Sequence, residues 1–213
     1  MSPEGMSEPR RYFAAVAGNI GAGKSSLTGI IAEALGWEPF FEPHAENPYL
    51  ADFYADMPRW SFHSQVFFLS KRLQHHRQLI DFPGSVVQDR SVYEDAEIFA
   101  RNLFQQGQMS ERDFSTYRAL YEGVRAFLPP PDLVIYLKAS VGTLAERISQ
   151  RGRAYERQIS IEYLTQLNAL YDRWAGAWTE CPMMTVDVGV LDFVHRPDDL
   201  RCVLDELRER LNL

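Results

Sequence analysis

One eight-residue stretch, Gly18-Asn19-Ile20-Gly21-Ala22-Gly23-Lys24-Ser25, limits what this chain can fold into more than any other. It matches G-x-x-x-x-G-K-[ST] without gaps. The glycines let the backbone turn with its N–H groups facing inward, and no side chain blocks the approach of phosphate oxygens. The pattern requires a buried strand before it and a helix after it. Tyr12–Ala17 is an apolar run, and Lys24–Leu35 has helical periodicity with Gly36 placed to end it. The helix aims the positive end of its dipole at the same anion. Lys24 is placed to reach the β- and γ-phosphates, Ser25 offers a hydroxyl to Mg²⁺, and Ser26 follows in the first turn. A glycine-rich strand-to-helix turn without function is the plain alternative, and the flanking elements argue against it.

Strand signals and helical signals alternate along the rest of the chain. Short strands are expected at Glu38–Phe41, Ser85–Gln88, Asp132–Leu137 and Met184–Val188. A long helix is expected from Pro58 to about Ile80, then two helices, the second opening with a Ser110/Asp113 cap and stopped by Pro129–Pro131. Helices are also expected at Val141–Gln150, Ser160 to about Thr179, and Pro197–Leu211. This alternation predicts one α/β domain: a five-stranded parallel sheet flanked by helices. The first ten residues are polar, contain Pro and Gly, and read as a disordered start.

Composition excludes several classes. The net charge is −7, so a phosphate-tracking nucleic-acid binder is disfavoured and a nucleotide partner is expected to be small. Two cysteines outside any CxxC or Cys/His cluster argue against structural zinc and fit a reducing cytosol. No apolar run is long enough to span a membrane, so a soluble, cytoplasmic protein is expected. His75-His76 reads as solvated helix surface, and Trp174 and Trp178 as packing or an oligomer face.

Three features favour phosphoryl transfer over a nucleotide switch. Arg147, Arg151, Arg153 and Arg157 cluster late in the chain beside Gly152, as a basic lid over about residues 147–159 would. Glu42 ends a strand beside Phe40 and Phe41, where a carboxylate could take a proton from an acceptor hydroxyl; an ordinary loop glutamate is the equal alternative. No NKxD guanine code is present. Asp89, at the end of an apolar strand, is the expected carboxylate partner of Mg²⁺.

Several further stretches carry a family resemblance. Glu42-Pro43, Asn47-Pro48-Tyr49-Leu50, Arg59-Trp60-Ser61-Phe62-His63-Ser64-Gln65, Asp89-Arg90-Ser91-Val92-Tyr93-Glu94-Asp95 and Arg151-Gly152-Arg153 stand in the order and spacing of the deoxynucleoside kinases. The chain resembles that family from about Tyr12 to Val188, and within it the bacterial deoxyadenosine kinases, some of which also take deoxycytidine. The resemblance implies a P-loop kinase fold with an Arg-rich helical lid. The implied reaction is ATP- and Mg²⁺-dependent phosphorylation of the 5′-hydroxyl of a 2′-deoxynucleoside, most closely deoxyadenosine, with deoxyguanosine or deoxycytidine as alternatives; a nucleoside monophosphate kinase is the remaining enzyme reading. A homodimer is implied as well.

The same resemblance implies residue roles. Glu42 is similar to the general base and Arg90 to the arginine that positions it. Gln65 is similar to the amide that reads the base edge, with Arg72 and Asp95 a charged pair beyond it. Phe99 is similar to the ring that stacks on the base, and Tyr54 and Glu156 to the groups that hold the sugar 3′-hydroxyl. Asp187 falls near the loop expected beside the ATP adenine. Asp89 stands where animal members carry Glu, which shortens the reach to Mg²⁺. Ser64 stands where some members carry an aromatic, which would enlarge or rehydrate the pocket beside Gln65 and favour a purine.

Overall fold

The computed structural model describes residues 10–42, 47–153, 156 and 159–213. Pro43, Arg157 and residues 1–9, all named above, lie outside the described residues.

Five parallel strands form one sheet in the order β2-β3-β1-β4-β5. They are β1 (Phe13–Gly18), β2 (Glu38–Phe40), β3 (Val86–Asp89), β4 (Leu133–Lys138) and β5 (Met183–Asp187). Every residue of β1 and β3 is buried, as expected for strands covered on both faces. Each expected strand is present, shifted by one residue at most. The central β1 pairs with β3 on one side and β4 on the other.

Helix α1 (Lys24–Leu35) follows the glycine-rich turn and ends at Gly36 in the left-handed region. Helix α2 (Leu50–Ala55) was not expected from the sequence. It packs Phe53 against Leu103 and Met109. Helix α3 (Met57–Asp81) is the long helix, capped by Asp56 accepting from the Arg59 N–H, with Pro58 in its first turn. Beyond β3 the chain runs through α4 (Val92–Glu94), a π-helical stretch (Asp95–Ala100) and α5 (Arg101–Gln105). Helix α6 (Glu111–Arg125) opens with Ser110 accepting from the Asp113 N–H, and it ends before the three prolines. Helices α7 (Val141–Arg151), α8 (Ile161–Ala177) and α9 (Pro197–Leu211) complete the fold.

Two apolar layers sandwich the sheet. One joins α1, α7 and α9 to the strand faces bearing Ala14, Val16 and Ile135. The other joins α3, α6, α8 and the π stretch to the faces bearing Phe13, Ala15 and Val134. His76 belongs to this second layer. It is buried edge-on to Phe13, not solvated as its sequence neighbourhood suggested. Trp174 and Trp178 pack on each other at 5.0 Å. Both cysteines are free, and no helix among the described residues is long and apolar enough to cross a membrane.

Candidate active site

The strand order brings the carboxyl ends of β1, β2 and β3 together, and the candidate site forms just outside them. A cavity of about 260 Å³ is lined by the phosphate loop (Ile20, Gly21, Gly23, Lys24, Ser25, Ser26), by Glu42 and Arg90, and by Tyr54, Gln65, Asp95, Phe99, Arg151, Arg153 and Glu156. Residues from widely separated parts of the chain thus meet at one cavity.

Sterics account for the loop's first glycine. A Cβ on Gly18, at φ 149°, would lie 2.9 Å from the Leu137 carbonyl oxygen of β4. Asn19 is buried and turned away from the cavity: its Nδ2 donates to the Leu164 carbonyl and to Asn168 Oδ1 on α8. Ala22 is likewise part of the core and not of the lining. These two positions shape the loop without facing the cavity. The Lys24 ammonium folds back onto the Asn19 carbonyl at 3.1 Å. Burial, aided by the nearby Arg90 charge, lowers its pKa to about 8. Ser25 Oγ donates to Asp89 Oδ2 at 2.5 Å, while the buried Asp89 Oδ1 has no partner among the described residues.

The acceptor side is built around two buried arginines. Arg72 projects from α3, two turns beyond Gln65 on the same face. Its Nε and Nη2 donate to Asp95, the same Nη2 donates to Glu42 Oε1 at 2.9 Å, and Nη1 donates to the Arg90 carbonyl at 3.0 Å. Arg90 takes φ 68°, a conformation that L residues rarely adopt. The bond from Arg72 to its carbonyl helps to hold it there. Arg90 Nε donates to Glu42 Oε2 at 2.9 Å, and its guanidinium lies 4.4 Å from the centre of the Phe99 ring. Burial alone would lower the pKa of both arginines, and the surrounding carboxylates more than reverse that, so both stay charged. Arg72 stands behind the cavity wall and does not line it.

The lid residues divide. Arg151 donates from Nε and Nη2 to Glu156, and Arg153 lies 3.5 Å from the same carboxylate. Arg147 is not with them. Its guanidinium donates to the Ala22 and Val188 carbonyls, bracing the phosphate loop against the segment after β5. Asp187 does not line the cavity either; its Oδ1 accepts from the Gly189 N–H in a turn. The neighbouring cleft is lined by Arg147, Gln150 and residues 188–196. Ser64 does not itself line the cavity beside Gln65. It is fully buried, and its Oγ accepts from Asn47 Nδ2 at 3.1 Å.

Similarity to known proteins agrees with this geometry. The family described as "Deoxynucleoside kinase" matches residues 14–212. The chain belongs to the deoxynucleoside kinase family. The deoxyadenosine/deoxycytidine kinase of Bacillus subtilis is 36% identical over 201 residues, covering 93% of each chain. A deoxyguanosine kinase of Lactobacillus acidophilus is 35% identical, covering 92% of this chain and 89% of its own. Among solved structures, the M. mycoides deoxyadenosine kinase with bound dATP superposes with a TM-score of 0.83 at 31% identity, covering 93% of this chain and all of that one.

Three residues of this kinase's interior were not expected from the sequence. Tyr163 lines the cavity from α8. Glu94 and Tyr171 are buried behind Arg90 and hydrogen-bonded to each other. The Ser91-x-x-Glu94 spacing was a readable capping box, and both of its bonds form.

Proposed function

We propose that this kinase transfers the γ-phosphoryl group of ATP to the 5′-hydroxyl of a 2′-deoxynucleoside, with Glu42 as general base. The observation that carries the reading is a buried carboxylate, oriented by Arg72 and Arg90, in one cavity with the phosphate loop. Glu42 accepts the proton as the hydroxyl oxygen attacks. Arg90 holds Glu42 in reach of that oxygen, and Lys24, Arg151 and Arg153 face the charge on the transferring group. The bare Asp89 Oδ1 beside Ser25 fits Mg²⁺, which takes oxygen ligands and keeps several waters and phosphate oxygens, so it needs no larger acidic cluster. Bound there, the ion neutralises phosphate charge.

Gln65 supplies a donor and an acceptor to the base edge, Phe99 its ring, and Tyr54 with Glu156 the sugar hydroxyl contacts. The donor nucleotide's base fits the cleft bordered by Arg147 and residues 188–196. We assign deoxyadenosine as the preferred acceptor. The M. mycoides and B. subtilis relatives support this by name, while the deoxyguanosine kinase at 35% identity keeps deoxyguanosine as the second reading. A homodimer in the cytoplasm completes the proposal.

The test is ADP release with Mg·ATP against deoxyadenosine, deoxyguanosine, deoxycytidine, thymidine and adenosine, run on the wild type and on Glu42→Gln. The wild type should favour deoxyadenosine over adenosine. The variant should lose roughly 10²–10⁴-fold in kcat, the usual worth of a positioned general base, while still binding ATP. Full turnover by Glu42→Gln would end the base assignment.

A further inference from the structure

Glu94 is a fully buried carboxylate that the proposed chemistry leaves idle. A carboxylate withdrawn from water is costly unless its oxygens are well satisfied. Its Oε2 accepts from the Ser91 N–H at 2.8 Å and from Ser91 Oγ at 3.2 Å, which closes the first turn of α4. Capping needs only that oxygen. Its Oε1 reaches two distant parts of the chain. It accepts from the Gly18 N–H at 3.1 Å, where β1 passes into the phosphate loop, and from the Tyr171 hydroxyl of α8 at 2.8 Å.

Tyr171 is also fully buried, and its hydroxyl oxygen accepts from Arg90 Nη1 at 3.2 Å. A phenol has one proton to donate, and here it goes to Glu94. The direction of every bond is therefore fixed: Arg90 donates to Tyr171, Tyr171 donates to Glu94, and Gly18 donates to Glu94. Burial holds the phenol proton in place far above neutral pH. At the other end of its guanidinium, Arg90 grips Glu42. A continuous polar path thus joins the first glycine of the phosphate loop to the carboxylate on the acceptor side.

We propose that Tyr171 and Glu94 are positioning residues for phosphoryl transfer, setting the distance between the phosphate loop and the Arg90–Glu42 pair. This rests on Glu42 being the base. In-line transfer is steep in geometry: a displacement on the order of 1 Å far from the reacting atoms can cost about a hundredfold. Arg90 needs an external restraint because its backbone is in a strained conformation and its side chain is long.

Tyr171→Phe tests the path. The ring keeps its stacking on Tyr136 and its edge contact with Trp174, so only the hydroxyl is lost. Expected is a fall in kcat of about tenfold, with KM for ATP and for the nucleoside within about twofold. In a Glu42→Gln background the same change should cost nothing further, because the residue it acts through is already disabled. Glu94→Gln gives an independent reading. Its amide has one acceptor oxygen where the carboxylate had two, so it must turn an NH₂ toward obligate N–H donors, and kcat should again fall more than KM rises. Unchanged kcat in Tyr171→Phe, or equal fold losses in the two backgrounds, overturns the relay. So does a loss that only follows a lowered Tm and disappears on cooling. A fully active Glu42→Gln instead removes the base reading and the relay with it, whereas an inactive Glu42→Gln beside an unimpaired Tyr171→Phe removes the relay alone.

Discussion

Lys24 shows how much a single buried charge reports. Its ammonium is held near the Asn19 carbonyl, and burial together with Arg90 lowers its pKa to about 8. Above pH 8 the free kinase holds this lysine increasingly neutral. A bound triphosphate favours the charged form, so ATP binding should take up about half a proton at pH 8, rising toward one at pH 9. The ATP dissociation constant should then weaken by up to about tenfold per pH unit above 8. Calorimetry at pH 8.5 in two buffers of different ionisation enthalpy measures the uptake; equal apparent enthalpies would refute it. Lys24→Arg carries a group that stays charged throughout and should abolish the uptake. At this scale the residue types were legible and their partners only partly so. The Arg72–Asp95 pair was implied by the family resemblance, and it forms because a buried guanidinium needs an anion. That Arg72 also reaches Glu42 was not, since the contact depends on how α3 crosses the end of β3.

Elements were most legible where local chemistry decides them. Ser110 ahead of Glu111 and Asp113 marks a helix start, and its Oγ does accept from the Asp113 N–H at 3.1 Å. Ser110→Ala should lower stability by about 1 kcal/mol. For a chain of this size that is a fall in Tm of about 2–4 °C. Kinetic constants should not change, since Ser110 lies outside the cavity lining. Thermal unfolding with parallel kinetics checks both halves, and an unaltered Tm would show that the cap contributes nothing. Two elements were not legible. Helix α2 is six residues long, below the length at which periodicity is informative. The π-helical stretch Asp95–Ala100 carries an ordinary helical pattern of residue types, yet it sets where Asp95 and Phe99 enter the cavity wall. It packs against α3 and α8, and no local signal encodes its wider turn.

Across the whole molecule, the parallel sheet fixes the function by placing three strand ends together, and the glycine-rich loop with its alternating elements announced that sheet. What the linear pattern hid is which helix faces the sheet closes over. His76 is the clearest case, because a residue among Gln74, His75, Arg77 and Gln78 looks solvated but is only 4% exposed. Its Nε2 has no partner among the described residues, and burial lowers its pKa to about 4. The unfolded chain has the ordinary histidine value of about 6.5. Between pH 6.5 and 4 the unfolded state therefore binds more protons than the folded one, and stability must fall as pH drops through that window. Discounted for partial hydration of the ring, this difference in proton affinity is worth about 1–2 kcal/mol between pH 7 and pH 5. His76→Leu keeps an apolar group against Phe13 and has no proton to bind, so the loss of stability from pH 7 to pH 5 should shrink by that amount. Urea unfolding of both proteins at the two pH values measures it. The other carboxylates and histidines titrate in both proteins and cancel in the comparison. An identical acid loss in the two would mean that water reaches the ring beneath α3 freely and that His76 titrates there as it does in the unfolded chain.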